Sequence, residues 1–296
     1  MPTIAITGLS GEVGQFLLQE ISSKVSVVDL FHTKPTVDSR VVSNFRFNLN
    51  DRIRMRRTLK KIHPDVFVHL GAFTHIDACE VDRINGENGI VWQTNVDSTA
   101  QIARYCAQTN THLIFLSTEC VFDGVKKSYT KSDHPSPINW YGITKAAAEK
   151  VICDSGCSYT ILRAVIAYSP TAKSSLWQKI SSKLKNGSQV RMANDHWMTP
   201  TYFPDIALAI RKCVQKKPRG IFHVSALKLL TPYSFACKIA ASLGYSKALI
   251  QSVPLESIIG KKKSELRLKF ACLDSKESEK ALLLHFRSVD EVIRSL

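Results

Sequence analysis

The sequence predicts an α/β fold, a doubly wound parallel sheet carrying a smaller C-terminal lobe. Three observations predict it. Apolar strand-like runs alternate with amphipathic helix-like stretches through the first two thirds of the 296 residues, the pattern of βα units joined by right-handed crossovers. The first strand-like run passes through a turn holding Gly8, Gly11 and Gly14 into a helix-like segment. After about residue 168 the rhythm changes, so a second body is expected over the carboxyl edge of the sheet, where ligands bind in open α/β folds.

Taken in order, "PTIAIT" reads as a short buried strand and "QFLLQEI" as a helix with apolar residues at helical spacing. "VSVVDLF", "DVFVHLGA", "THLIFLST" and "SYTILRAVIAY" read as further buried strands, separated by the helical stretches "RIRMRRTLKKI", "VDSTAQIARYCAQ" and "YGITKAAAEKVICDS". "SSLWQKISSKLKNG" is a helix and "GIFHVS" a late strand. "TPYSFACKIAASLG" is a helix opened by Thr231 with Pro232 in its first turn. The expected division is a dinucleotide-binding domain over 1–168, with 190–225 returning to it. A smaller substrate-binding lobe takes 169–189 and 226–296, including the basic "IIGKKKSELRLKF".

Each glycine of the first turn has an expected task. Gly8 permits the tight turn, Gly11 lets backbone approach a diphosphate, and Gly14 allows the helix to pack against the strand. The helix N-terminus offers unpaired N–H groups and partial positive charge to phosphate. The spacing is GxxGxxG, so a glycine-rich turn of another α/β protein is the competing reading.

Composition narrows the classes. With 44% hydrophobic and 22% charged residues the chain packs as an ordinary globular protein, and no apolar run reaches the roughly 20 residues of a membrane span. The first strand starts at Pro2 or Thr3, which leaves no room for a cleavable leader, and a cytoplasmic protein is expected. The eight cysteines lack a CxxC pair or matching histidine spacing, so reduced thiols are expected, with neither zinc nor a disulfide framework. The net charge of +15 raises nucleic acid as a partner. Its basic residues stand in small groups such as Arg52 to Arg57 and Lys261 to Lys263 without interleaved aromatics, so no nucleic-acid role is expected. Anionic cofactor and substrate explain part of the surplus.

Tyr141 and Lys145 form a YxxxK pair, which four-residue helical spacing puts on one face. An ammonium beside a phenol is expected to lower the tyrosine's pKa and let it exchange a proton near neutrality. Ser117 and Thr118 end a buried strand upstream, at the edge where α/β enzymes place catalytic groups, and a hydroxyl there could bond a carbonyl oxygen beside the tyrosine. Turn or helix-cap duty is the alternative for both.

Together these segments resemble the extended short-chain dehydrogenases/reductases, and within them the dTDP-4-dehydrorhamnose reductase group, which has a Rossmann-type sheet. The resemblance covers essentially the whole chain, through "TGLSGEVG", "HPDVFVHLGAFTHIDACE", "TNVDSTAQIARYC", "LIFLSTECVFDGVKKSYTKSDHPSPINWYGITKAAAEK", "MTPTYFPDIALAI" and "GIFHVS". It implies that Tyr141 donates a proton as hydride arrives from a nicotinamide, that Lys145 tunes the tyrosine and bonds the nicotinamide ribose, and that Thr118, with Ser117, polarises the substrate carbonyl. Leu70, Gly71 and Ala72 match the segment beside the adenosine and diphosphate. With Ser10, Val13, the three glycines and His32, they complete the implied cofactor set. Asn95 matches an asparagine with a structural role. NADP is the implied cofactor, with NAD possible: His32 and Lys34 follow the second strand, whereas Asp29 falls inside it.

The departures point the other way. Cys120 stands where the group carries tyrosine, Glu119 replaces an aspartate, and "RAVIAYS" replaces "RTSWVYG", which puts Ile166 at a substrate-facing position and Ser169 at the glycine. Loss of phenol and indole removes stacking surface for a sugar or base. Ile166 and "NDHW" at Asn194 to Trp197 look more like the regulatory beta subunit of methionine adenosyltransferase, a relative that binds the same kind of cofactor. Two functions are therefore expected: reduction of a keto-deoxy sugar nucleotide, or a cofactor-binding regulatory subunit of a partner enzyme. A homodimer is compatible with either.

Overall fold

The computed structural model describes residues 2–296. Seven parallel strands form the main sheet: β1 (Thr3–Thr7), β2 (Ser26–Phe31), β3 (Val41–Arg46), β4 (Val66–His69), β5 (His112–Thr118), β6 (Tyr159–Ala164) and β7 (Gly220–Val224). Their order is β7-β6-β5-β4-β1-β2-β3. The order reverses between β1 and β4, and such a switch point opens a crevice at the carboxyl ends of the strands.

The alternation of side chains along β1 explains the two layers. Ile4 and Ile6 face a cluster with Leu17 of α1 (Glu12–Glu20) and Ile206 and Ile210 of α5 (Phe203–Lys216). Ala5 faces the opposite cluster, where Met55 of α2 (Arg52–Leu59), Ile102 of α3 (Ser98–Thr109) and Ile152 of α4 (Trp140–Asp154) meet Phe67 and Phe115. Each buried Ile, Leu, Met or Phe among them contributes about 1.5–3 kcal/mol. Local signals set the helix ends: the Asp51 carboxylate accepts from Arg54 N at 2.9 Å, and Asn139 Oδ1 accepts from Gly142 N at 2.8 Å.

The lobe is built from two short parallel pairs, Val190–Ala193 with Ile250–Val253 and Trp197–Met198 with Phe270–Ala271. Helices Leu176–Lys185 and Pro232–Ser242 pack on them, the second opened by a Thr231 capping box. Its core of Trp177, Ile180, Phe235 and Ile239 runs without a break into Cys120, Val121 and Phe122, so the lobe rests on the turn that follows β5. Among the described residues, no helix is long and apolar enough to cross a membrane.

Four details differ from the sequence reading. The long run "SYTILRAVIAY" is broken: β6 stops at Ala164, the Val165 N–H turns to Thr201 Oγ1 at 3.2 Å, and Ala167–Tyr168 pairs with Thr201–Tyr202 outside the sheet. Of 190–225, the part from α5 onward joins the main sheet, while 190–198 belongs to the lobe, because an alternating segment pairs equally well with either body. The chain returns once more near its end, with Leu282 and Phe286 packed among the α1 and α5 residues. The edge strand β3 has no counterpart in the reading. Its side chains alternate between half-buried and exposed, so it carries no apolar run.

Candidate active site

At the β1–α1 turn the three glycines do different things. Gly8 has φ +73, and a Cβ there would lie 2.8 Å from Gly71 N, so the turn and the segment after β4 touch backbone to backbone. A Cβ at Gly14 would overlap the Leu9 carbonyl. Gly11 is the N-cap of α1 without a side-chain cap, and a Cβ on it would meet only Gly8 O at 3.2 Å. Packing thus requires Gly8 and Gly14, whereas Gly11 and Ser10 are exposed and leave the first N–H groups of α1 open.

Beneath the turn, Thr7 Oγ1 accepts from Gly71 N at 3.1 Å and pairs with His69 Nδ1 at 2.7 Å, while His69 Nε2 reaches Thr99 Oγ1 at 3.1 Å. Burial first, and then the Lys145 charge, bring the His69 pKa down to about 3, so it is neutral. This network, absent from the sequence reading, fixes Leu70, Gly71 and Ala72. Asn95, in a π-type turn over Gln93–Asp97, exchanges hydrogen bonds with Phe73 N and O at 2.8 and 3.0 Å and donates to Thr144 Oγ1 at 3.0 Å. It ties that same segment to α4.

Asp29 lies inside β2 and is buried. Its Oδ2 accepts from Thr36 N at 2.7 Å, whereas Oδ1 has no partner among the described residues. Burial raises its pKa, with the Thr36 bond pulling back. His32 and Lys34 follow the end of β2 and are exposed.

Thr118 stands at the end of β5, and Tyr141 and Lys145 stand one turn apart on α4, which packs against that strand. Thr118 Oγ1 donates to Glu119 Oε2 at 2.7 Å and accepts from Cys120 N at 3.2 Å. Gly142 lets the helix sit this close, since a Cβ there would overlap the Cys120 carbonyl oxygen. Lys145 is buried, donates to Leu116 O at 2.7 Å and lies 3.7 Å from the centre of the Phe115 ring. Burial lowers its pKa to about 7, with Glu149 pushing back up. Tyr141 moves opposite to the sequence expectation. Burial first, then Cys120 and Glu119, raise its pKa well above the ordinary value, with Thr118 pulling back. Lys145 does not lower it, because the ammonium is directed at Leu116 O. The phenol stays protonated.

Ser117 faces elsewhere. Its hydroxyl donates to Glu149 Oε1 at 2.5 Å, and Glu149 holds Arg163 through Nε at 3.0 Å and Nη2 at 2.6 Å. This buried ion pair escaped the sequence reading. The available signal was spacing: Glu149 stands four residues beyond Lys145 and eight beyond Tyr141, a charge on the inward stripe of the helix. Glu119 is buried too, and burial raises its pKa to about 7 against the opposing Thr118 bond.

Cys120 is 6% exposed and packs in the lobe's core, whereas Ile166 is 44% exposed at the break after β6. "NDHW" braces the lobe: Asn194 Nδ2 donates to Ser252 Oγ at 2.8 Å, Asp195 accepts from Leu255 N at 3.0 Å, and Trp197 stacks on Phe270 at 5.1 Å. The basic segment before Phe270 is fastened over the site, with Arg267 on Asp77 at 2.6 Å and Leu266 O accepting from Asn139. A cavity of about 670 Å³ lies elsewhere, between α2 and α3, where Arg56, Arg57, Lys60 and Arg104 gather. It shares no residue with the site, so part of the positive surplus is concentrated there.

The family described as RmlD substrate binding domain matches residues 2–296. Methionine adenosyltransferase 2 subunit beta of Mus musculus is 27% identical over 271 residues, 87% of this chain and 77% of that protein. The dTDP-4-keto-6-deoxy-D-glucose reductase of Streptomyces niveus is 26% identical over 90% of this chain and 87% of that protein. The dTDP-4-dehydrorhamnose reductase of Bacillus anthracis, solved in complex with NADP, superposes with a TM-score of 0.84 at 20% identity, covering 100% of this chain and 98% of that one.

Proposed function

The chain belongs to the RmlD substrate binding domain family, and from that premise we propose that it is an NADP(H)-dependent reductase of a keto-deoxy sugar nucleotide, with Tyr141 as proton donor. The observation that carries this reading is a protonated Tyr141 within the influence of Thr118 at the carboxyl end of β5, with Lys145 one turn along the same helix and bonded to Leu116 O. The Streptomyces relative and the NADP complex of the Bacillus protein support it.

The residues present fit the cofactor. The uncapped first turn of α1 and the exposed Gly11 suit a diphosphate, and the partnerless Asp29 Oδ1 suits a hydroxyl donor such as a ribose. His32 and Lys34 past β2 suit an additional phosphate, which favours NADP(H) over NAD. When bound, the nicotinamide supplies hydride. Tyr141, kept protonated by burial, gives its proton to the substrate oxygen, and Thr118 lies at the strand end to bond that oxygen. Lys145, brought to about 7, exchanges protons near neutrality, and Glu149 steadies its charge. Ser117 gives its hydroxyl proton to Glu149 and so acts on α4, leaving the carbonyl to Thr118 in this reading. NADPH with a panel of 4-keto-6-deoxy sugar nucleotides, followed by absorbance, tests the proposal; tight NADPH binding with no turnover on any member would sink it.

A second reading, a regulatory subunit of another enzyme, is favoured by the buried Cys120, the exposed Ile166 and the Mus musculus relative. Its test is to add the chain to a methionine adenosyltransferase catalytic subunit. An unchanged rate and no complex would dismiss that reading.

A further inference from the structure

We infer that Glu119 is a positioning residue that gates Thr118: its carboxylate captures the hydroxyl proton of Thr118, and protonation of Glu119 releases that proton toward a substrate carbonyl. The inference rests on the reductase reading and adds a control to the same site.

The geometry of Thr118 leads to it. A hydroxyl has one proton to donate and two lone pairs with which to accept. Thr118 spends its proton on Glu119 Oε2 at 2.7 Å and one lone pair on Cys120 N at 3.2 Å. In that state it offers a carbonyl oxygen nothing, since an oxyanion partner must donate. Taking a proton from solvent turns Glu119 from acceptor into donor. Its O–H then bonds the lone pair of Thr118 Oγ1 not taken by Cys120 N, as the neighbouring Tyr141 phenol turns to the substrate, and the threonine proton rotates away to the substrate. One proton is gained by the carboxyl and one hydrogen bond changes direction; no covalent bond to carbon or oxygen of the substrate is involved.

The surroundings make this switch operate near neutrality. Glu119 is 6% exposed and no basic side chain forms an ion pair with it among the described residues, so burial holds the carboxyl up to about 7. The groups facing it are Thr118 on β5, Cys120 in its own turn, Tyr141 on α4 and Cys272 beyond the lobe strand Phe270–Ala271. Arg267 acts on Cys120 and is occupied by Asp77. The thiols and the phenol are all pushed upward, so none of them shares the neutral range with Glu119. Lys145 does titrate there, but its ammonium bonds Leu116 O.

The test compares wild type with Glu119→Gln in two measurements. In the first, kcat for keto-sugar reduction is followed across pH. Wild type should fall about tenfold per pH unit above about pH 7, whereas the glutamine, whose amide N–H donates to Thr118 permanently, should remove that limb and leave kcat higher than wild type in the alkaline range. A variant that keeps the same falling limb overturns the gate and assigns the limb to Lys145. The second measurement is an infrared titration of the apo protein. A protonated carboxyl band that disappears through neutral pH in wild type and is missing in Glu119→Gln supports the proposal. A carboxylate ionised throughout overturns it, because nothing is left to switch. If no sugar nucleotide turns over, the reductase reading fails separately while the infrared titration still decides the state of Glu119.

Discussion

The glycine turn and the corner around Thr118 and Tyr141 are both short stretches at the carboxyl edge of one sheet, yet they are specified by opposite means. At Gly8 to Gly14 the constraints are missing side chains: one positive φ, one backbone approach to Gly71 and one to Leu9. Around Thr118 and Tyr141 the constraints are charged and polar side chains brought from β5, α4 and β6 and buried against each other. The first kind of site is steric and local. The second depends on which groups hold protons, and that is decided by burial.

The contrast can be broken or sharpened at several points. Tyr141→Phe removes the proton and little packing, so turnover should drop about 10²–10⁴-fold with NADPH affinity retained. Steady-state rates beside fluorescence titration of NADPH would show it, and full activity would end the proposed role. Arg163→Met leaves Glu149 buried without its partner and should cost about 3–5 kcal/mol in urea unfolding. A loss below 1 kcal/mol would mean that the corner is not held by charge.

At the turn, Gly11→Val should weaken NADPH binding by about tenfold or more, ~1.4 kcal/mol, and leave the melting temperature nearly unchanged. Gly14→Val should do the reverse, lowering stability by about 1–3 kcal/mol through overpacking. Equal stability losses for the two valines would erase the distinction drawn between them. Ser117→Ala, the smallest change, should cost about 0.5–1.5 kcal/mol of stability with kcat at saturating substrate close to wild type.

Acid offers one more separation. His69, His112 and His223 are buried with pKa values brought down to about 3, 4 and 4, chiefly by burial. Below the ordinary histidine value the unfolded chain binds more protons than the folded one, so stability falls as pH drops from about 6.5 toward 4. Thermal melts over that range, with His69→Gln less sensitive than wild type, would show it.

The sheet was legible because buried parallel strands are continuous apolar runs and their helices repeat at helical spacing; "PTIAIT", "THLIFLST" and "GIFHVS" lie in β1, β5 and β7. β3 was not, since an edge strand half in solvent needs no such run. Segment 190–198 was misplaced because alternation reveals a strand and not its neighbour. In the corner, the YxxxK spacing and the strand-end hydroxyls were visible as letters. The upward shift of Tyr141, the diversion of Ser117 to Glu149 and the Glu119 bond were not, because each follows from a partner distant in sequence or from the depth of burial.

Gly142 adjoins the tyrosine and touches the Cys120 carbonyl through the space where a side chain would stand. It acts as a shim of zero thickness between the helix that carries Tyr141 and the turn the lobe rests on. The two neighbouring letters therefore answer different questions when this chain is varied. Replacing the tyrosine asks whether a proton is transferred; replacing the glycine moves the helix as a body, and with it every distance from Thr118 to Lys145. A screen that scores both positions would separate loss of chemistry from loss of alignment, and would do so whether the chain works as a catalyst or as a scaffold.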